Sequence, residues 1–314
     1  MSLNERAQRL CGRIVEQADT LRIEASQVEC GTRLIDCGVT ARGGLEAGRL
    51  MVEVCLAGLG RVDLTAGDAT LWPGPTVTVR TDAPLAACMA SQYAGWQVAG
   101  DDFFAMGSGP MRAAAGREEL FDDIGHRERP EMAVGVLETS QRPPDAVCRK
   151  LASDCAVEPE RLTLLLARTA SQAGAVQVVA RSIETALHKM YALKFDLGRV
   201  ESGFGTAPLP PVAGDDLAAI GRTNDAVLYG GRVTLWVRGD DDSLAALAPE
   251  VPSCSSADYG EPFADIFERY DRDFYKIDPL LFSPAEVTLF NVDTGNTFRS
   301  GQLLPDVIVR SFGG

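Results

Sequence analysis

Arg181 and Glu184 stand three residues apart in a stretch, residues 168–191, that is rich in small and apolar side chains. Three residues is just under one helical turn, so both side chains leave the same helix face. A guanidinium beside a carboxylate in that position has two readings. Spacing alone favours a solvated surface pair, contributing about 0.3 kcal/mol. The alternative is a base held ionised for chemistry on a cation. The guanidinium would then lower the carboxyl pKa while burial raises it, and a charge-assisted hydrogen bond would fix its orientation. The chain has only two histidines, His126 and His188. A His-rich metal centre is therefore excluded, and a Ser-His-Asp triad would depend on one of the two. His188 lies one turn beyond Glu184 and reads more readily as a structural histidine, and His126, in a charged stretch, as exposed loop.

The elements that must position such a pair belong to an ordinary globular chain of 314 residues, 46% hydrophobic and 24% charged, long enough for one large or two medium domains. Lysine and arginine total 30 against 44 acids, a formal net charge of −14. That balance speaks against nucleic acid as a partner, since a phosphate backbone needs a basic stripe. No apolar run approaches the ~18 residues of a membrane span, and the N-terminus lacks a signal-peptide core. The eight cysteines are scattered without a CxxC pair. They read as reduced thiols of a cytoplasmic protein with no metal site.

Helical spacing predicts helices over 3–18, 84–96, 144–155, 174–191, near 214–221, and from about Pro262. Strands are predicted at 50–57, 76–80, 161–167, 285–291 and 305–312, with a hairpin over 226–238 that turns at Gly230-Gly231. Residues 98–145 read as irregular or short-helical, and 203–216, rich in proline and glycine, as a linker. Helices and strands interleave without a regular βαβα period, and no GxGxxG follows a strand. The fold class is therefore mixed α/β (α+β), not Rossmann.

Several blocks carry a resemblance: Asp-Cys-Gly-Val at 36–39, Ala-Ser-Gln-Tyr-Ala-Gly-Trp at 90–96, Met-Gly-Ser-Gly-Pro at 106–110, the Arg181/Glu184 segment, Gly-Arg-Thr-Asn-Asp-Ala-Val-Leu-Tyr-Gly-Gly at 221–231 and the long run 255–284. In that order they resemble the methenyltetrahydromethanopterin cyclohydrolases, enzymes of one-carbon metabolism whose helix carries RxxE. The resemblance implies two α/β domains with the substrate pocket between them, drawn here as 1–84 plus 201–314 and 85–200. It also implies a homo-oligomer, commonly a trimer, a pterin substrate and no cofactor. In that family a cyclic methenyl cation and its 5-formyl product interconvert with water. The carbon already bears positive charge, so neither metal nor covalent nucleophile is required, only a base for the attacking water and a proton donor for the leaving nitrogen. By resemblance Glu184 is the base and Arg181 its partner.

Other residues of the matching blocks are substrate-binding candidates, each with a plainer reading beside it. Gly107, Ser108 and Gly109 form either a turn whose amides cradle an anion or, more simply, a structural Gly-Pro turn. Arg222, Asn224 and Asp225 offer hydrogen bonds to a pterin edge, or an ordinary helix-to-strand turn. Tyr259 and Gly260 either stack on and approach the ligand or precede a helix with core aromatics from Phe263 to Phe274. Arg112, Arg222 and Arg232 are candidates to meet an anionic tail. Cys37 reads as buried and unreactive. Two competing functions are a carboxylate-dependent hydrolase of another pteridine or folate, and a non-catalytic pterin-binding protein whose Arg181 and Glu184 would face solvent.

Overall fold

The computed structural model of the chain describes residues 1–273 and 276–313, so Phe274 lies outside the described residues. The chain opens with α1 (Leu3–Glu16), α2 (Ala18–Leu21), β1 (Glu24–Gln27), β2 (Arg33–Gly38) and α3 (Leu45–Cys55). Then come β3 (Gly60–Thr65), β4 (Thr76–Thr81), a π-helix over Leu85–Gln92, β5 (Trp96–Gly100) and β6 (Phe103–Ser108). The middle of the chain forms α4 (Met111–Ala115), α5 (Leu120–Ile124), β7 (Ala133–Glu138), α6 (Asp145–Asp154), β8 (Leu162–Ala167) and α7 (Gln172–Val179). It continues through α8 (Ser182–Ala192), β9 (Val200–Pro208), α9 (Asp216–Leu228), β10 (Arg232–Val237) and α10 (Asp241–Leu247). The last elements are α11 (Phe263–Arg269), β11 (Glu286–Asn291), β12 (Thr297–Gly301) and α12 (Pro305–Phe312). Among the described residues no helix is long and apolar enough to cross a membrane.

The chain divides into two compact units, Met1–Arg61 with Leu85–Gln177, and Val62–Pro84 with Val178–Gly314. These limits differ from the expected grouping of 1–84 with 201–314. The physical reason is strand pairing: β2 lies parallel to β8, which lies parallel to β7, so the N-terminal segment is bound to residues 133–167. Meanwhile β4 pairs with β9 and carries 62–84 to the other unit.

The first unit holds a six-stranded sheet in the order β1-β2-β8-β7-β6-β5. Its parallel centre is covered on both faces, which is why β7 and β8 read as near-continuous apolar runs. Ile35, Val136 and Leu165 pack with Leu10 and Ile14 of α1 and Met51 of α3, while Leu34, Leu137 and Leu164 pack with Cys148 and Leu151 of α6. A capping box starts α1, Ser2 Oγ accepting from the Glu5 amide at 3.1 Å while the Ser2 amide donates to Glu5 at 2.9 Å. The second unit's sheet runs β12-β11-β10-β9-β4-β3, with β10 parallel to β11 and the β12–β11, β10–β9 and β9–β4 pairs antiparallel. The mixed α/β, non-Rossmann expectation agrees with both sheets.

Several local expectations fail for identifiable reasons. Residues 50–57 are mostly helix α3, because a short apolar run does not distinguish a buried strand from a buried helix. A Cβ on Gly48 would lie 2.8 Å from Ala173 Cα, so α3 seats directly on the start of α7. Residues 305–312 are helix α12: proline at its first position and Asp306 in its first turn outweigh the β-branched Val307, Ile308 and Val309. The 203–216 linker begins with the last six residues of β9, a central strand, and the 226–238 hairpin is the end of α9 running into β10. Residues 98–145 hold β5, β6, α4, α5 and β7, and the 84–96 helix is π-helical over its central turns.

Candidate active site

The helix expected over 174–191 is interrupted. Ala180 and Arg181 form a turn between α7 and α8, following a valine-rich run, Val176, Val178 and Val179, that lowers helix propensity. The break puts Arg181 immediately before α8 and Glu184 at its third position. There the unpaired first amides and the helix dipole favour a negative side chain. In an unbroken helix Glu184 would have no such support.

Both side chains are withdrawn from solvent, with 8% exposure for Arg181 and 5% for Glu184, and Nη1 lies 3.6 Å from Oε2. That separation is an electrostatic contact without the close fork of a bidentate pair. The strand beneath the helix explains how the pair is seated. A Cβ at Gly203 would lie 2.9 Å from the Ile183 side chain, and one at Gly205 would lie 2.4 Å from Ser182 Oγ. Glycine at both places lets the first turn of α8 close onto β9. The other end of α8 is tied by Lys189, whose buried Nζ donates to the carbonyls of Pro252 at 2.8 Å and Leu280 at 2.6 Å and to Ser255 Oγ at 2.6 Å. Three donors meet three acceptors, none of them a carboxylate, and burial pushes the ammonium down to about 8. Sequence reasoning missed Gly203, Gly205 and Lys189. The only signals were a Gly-x-Gly inside a strand and a lysine between Leu187 and Met190 on an apolar helix.

Most of the other candidates have partners that hold the fold. Arg112 has a fully buried side chain. Its Nε and Nη2 donate to the two oxygens of Glu118 and its Nη1 to the Met89 carbonyl at 2.7 Å. The Tyr93 and Phe121 rings lie 4.7 and 5.3 Å from the guanidinium. Those contacts occupy the group expected to meet an anionic tail. Ser108 is buried at the end of β6, and the Gly109 amide donates to the Ser91 carbonyl at 2.8 Å, with Gly109 at φ +89°. The 106–110 block is thus a strand end and a glycine turn facing the interior. Arg222 donates to the Pro211 carbonyl at 3.2 Å, and Arg232 lies 3.6 Å from Asp68.

Asn224 and Asp225 sit inside α9 and not in a turn. Asn224 Nδ2 donates back to the Ile220 carbonyl, and Asp225, fully buried, accepts from the Phe263 amide at 2.8 Å and Ser311 Oγ at 2.6 Å. Asp225 therefore caps α11 and ties α9 to α12, and burial raises its carboxyl to about 7 against those hydrogen bonds. Tyr229 and Tyr259 lie beside it with ring centroids 5.2 Å apart, and the Gly260 amide donates to the Tyr229 hydroxyl at 3.2 Å. The Tyr259 hydroxyl is buried with no hydrogen-bond partner among the described residues.

Asp36 takes the opposite course to Asp225. Burial would raise its pKa, but Thr40 Oγ1 and the amides of Gly38, Val39, Thr40 and Ala41 all donate to its carboxylate and hold it below the usual range. It shapes the loop after β2. Beside it burial raises the Cys37 thiol well above its ordinary value, consistent with an unreactive cysteine. Among the described residues no group of three or more His, Cys, Asp or Glu is placed to hold a metal ion.

Comparison with known proteins covers the whole of this frame. Residues 2–312 match the cyclohydrolase (MCH) family. The methenyltetrahydromethanopterin cyclohydrolase of Xanthobacter autotrophicus is 50% identical over 302 residues, covering 96% of this chain and 89% of its own. The protein of that name from Methylobacillus flagellatus is 47% identical over 313 residues, 99% of this chain and 95% of its own. That from Methanothermobacter marburgensis is 41% identical over 318 residues, 100% of this chain and 99% of its own. With the match running through both compact units and through the helix that buries Arg181 and Glu184, the chain belongs to the cyclohydrolase (MCH) family.

Proposed function

We propose that the chain is a methenyltetrahydromethanopterin cyclohydrolase of one-carbon metabolism in which Glu184 is the general base and Arg181 holds it ionised and oriented. The activity follows from family membership and from relatives that carry that name along nearly their full length. The observation that supports the residue roles is the burial of the pair, 8% and 5% exposed. A solvated helix pair, as spacing alone favours, would stand in water.

In the reaction, water adds to the cationic methenyl carbon and gives one proton to Glu184. Collapse of the adduct to the formyl group releases the hydroxyl proton and breaks the bond to the ring nitrogen, which must itself gain a proton. One of the two protons returns to that nitrogen, through Glu184 in this reading, and the other leaves to solvent. The substrate carries its own positive charge, so its activation calls for no metal and no cofactor, and a carboxylate beside it stabilises the cation electrostatically. The non-catalytic reading required Arg181 and Glu184 to face solvent, and their burial disfavours it. The remaining alternative, another pteridine or folate as substrate, is separated by a direct comparison of methenyl compounds.

The same reading makes the protein a cytoplasmic homo-oligomer, a trimer by family resemblance. The absorbance change of the methenyl compound on ring opening tests the activity. Turnover that survives exhaustive chelation is expected, and a requirement for added zinc or iron would overturn the mechanism. Failure to act on the methenyl compound while acting on its folate counterpart would reassign the substrate.

A further inference from the structure

Glycine inside a strand weakens it, because it offers no side chain to pack and loses the most backbone freedom on folding. β9 is an interior strand of its sheet and carries two, Gly203 and Gly205, both buried and both on one face. The register sets Gly205 between Val79 of β4 and Val233 of β10, and Gly203 between Thr81 and Leu235. All four of these neighbours are buried. Two missing side chains in a row of filled positions leave a trough along β9.

The first turn of α8 fills that trough. A Cβ at Gly205 would overlap Ser182 Oγ and lie 3.0 Å from Ile183 Cγ1, and one at Gly203 would lie 2.9 Å from Ile183 Cγ2. Ser182 and Ile183 are the two residues between Arg181 and Glu184. The part of the helix that touches the glycines is therefore the part that carries the pair. The far end of α8 is fixed by the three hydrogen bonds of Lys189 to Pro252, Ser255 and Leu280. With that end held, a side chain placed in the trough lifts the first turn, by about 1 Å if ordinary van der Waals contact is to be restored. A displacement of that size at a reacting group costs up to about 100-fold in rate.

We propose that Gly203 and Gly205 are positioning residues: the trough they leave in the sheet sets where Arg181 and Glu184 stand. This rests on Glu184 as the base, as given above. The test compares turnover of the methenyl compound by wild type, Gly205→Ala, Ser182→Ala and the double variant, with far-UV circular dichroism on each. Gly205→Ala should lower kcat about 10–100-fold and leave KM within about twofold, since a displaced base acts on the transition state and not on binding. Ser182→Ala removes the overlapped oxygen, so the double variant should recover to within about threefold of Ser182→Ala alone. Gly214→Ala, in the same unit with nothing within 4 Å of an added Cβ, should keep the wild-type kcat. If Gly205→Ala does not fold, Gly203→Ala carries the test, because its closest contact is less severe. A fall in its kcat of about threefold at unchanged KM is then expected. A kcat in these variants equal to that of Gly214→Ala, or a loss in Gly205→Ala that the double variant does not recover, would overturn the proposal. Near-normal turnover in Glu184→Gln would instead remove the base on which it rests.

Discussion

Arg112–Glu118 and Arg181–Glu184 are both Arg–Glu pairs with a buried guanidinium, one in each compact unit, yet they are built differently. Arg112 is gripped by both oxygens of its carboxylate, by a backbone carbonyl and by two aromatic rings. Arg181 stands 3.6 Å from Glu184 across the first turn of a helix. Its carboxylate is supported by the helix dipole and lacks the close fork. Burial of the guanidinium is common to both pairs, and the geometry around each separates a clamp from a base. A base must change protonation and partner during turnover, and a carboxylate forked by a ring-stacked guanidinium resists both.

The contrast predicts its largest effect at Glu184. Glu184→Gln keeps shape and polarity but removes the base, and kcat should fall about 10²–10⁴-fold with little change in KM. Near-normal turnover with intact circular dichroism would return the pair to the structural class that Arg112 occupies.

Arg112→Met should instead act on stability. Removing one partner of a buried pair leaves Glu118 and the Met89 carbonyl without their donor, a loss of about 3 kcal/mol in urea unfolding. A stable Arg112→Met enzyme with strongly reduced kcat would move Arg112 out of the structural class.

Arg181→Lys keeps the charge but loses the planar group. A fall in kcat of about tenfold, or about 1.4 kcal/mol, is expected. If the two residues act as a unit, Arg181→Lys combined with Glu184→Gln should be little worse than Glu184→Gln alone. Strict additivity in the measured rates would show that they act separately.

The smallest effect concerns Asp225. Its carboxyl is raised to about 7 by burial, above the ~3.9 of an unfolded aspartate. Between those values the folded chain binds the proton more readily than the unfolded one. Stability from this group is therefore present at low pH and lost as pH rises through about 7. Asp225→Asn, which can still accept from the Phe263 amide, should lose that slope. Urea midpoints compared at pH 5 and pH 8 should show the variant gaining on wild type at the higher pH, and parallel shifts would refute it.

Much of this protein was legible without coordinates. The helices at 3–16, 145–154 and 263–269 and the strands at 76–81, 162–167 and 286–291 follow from local periodicity and caps. So does the mixed α/β class, and so does the RxxE spacing that puts Arg181 and Glu184 on one face. These depend on neighbours within a turn or two, and sequence holds that information directly. Residues 50–57 and 305–312 misled because a short apolar run fits a buried strand or a buried helix equally, and only the surrounding layers decide between them. Burial is likewise a property of the assembled chain. No spacing rule separates Arg112 in its aromatic clamp from Arg181 beside its carboxylate, or shows that Gly203 and Gly205 are what let α8 reach its strand. Sequence determined which residues could do the chemistry. Tertiary structure decided which charges are withdrawn from water and which backbone approaches seat them, because both depend on atoms that distant parts of the chain bring into contact.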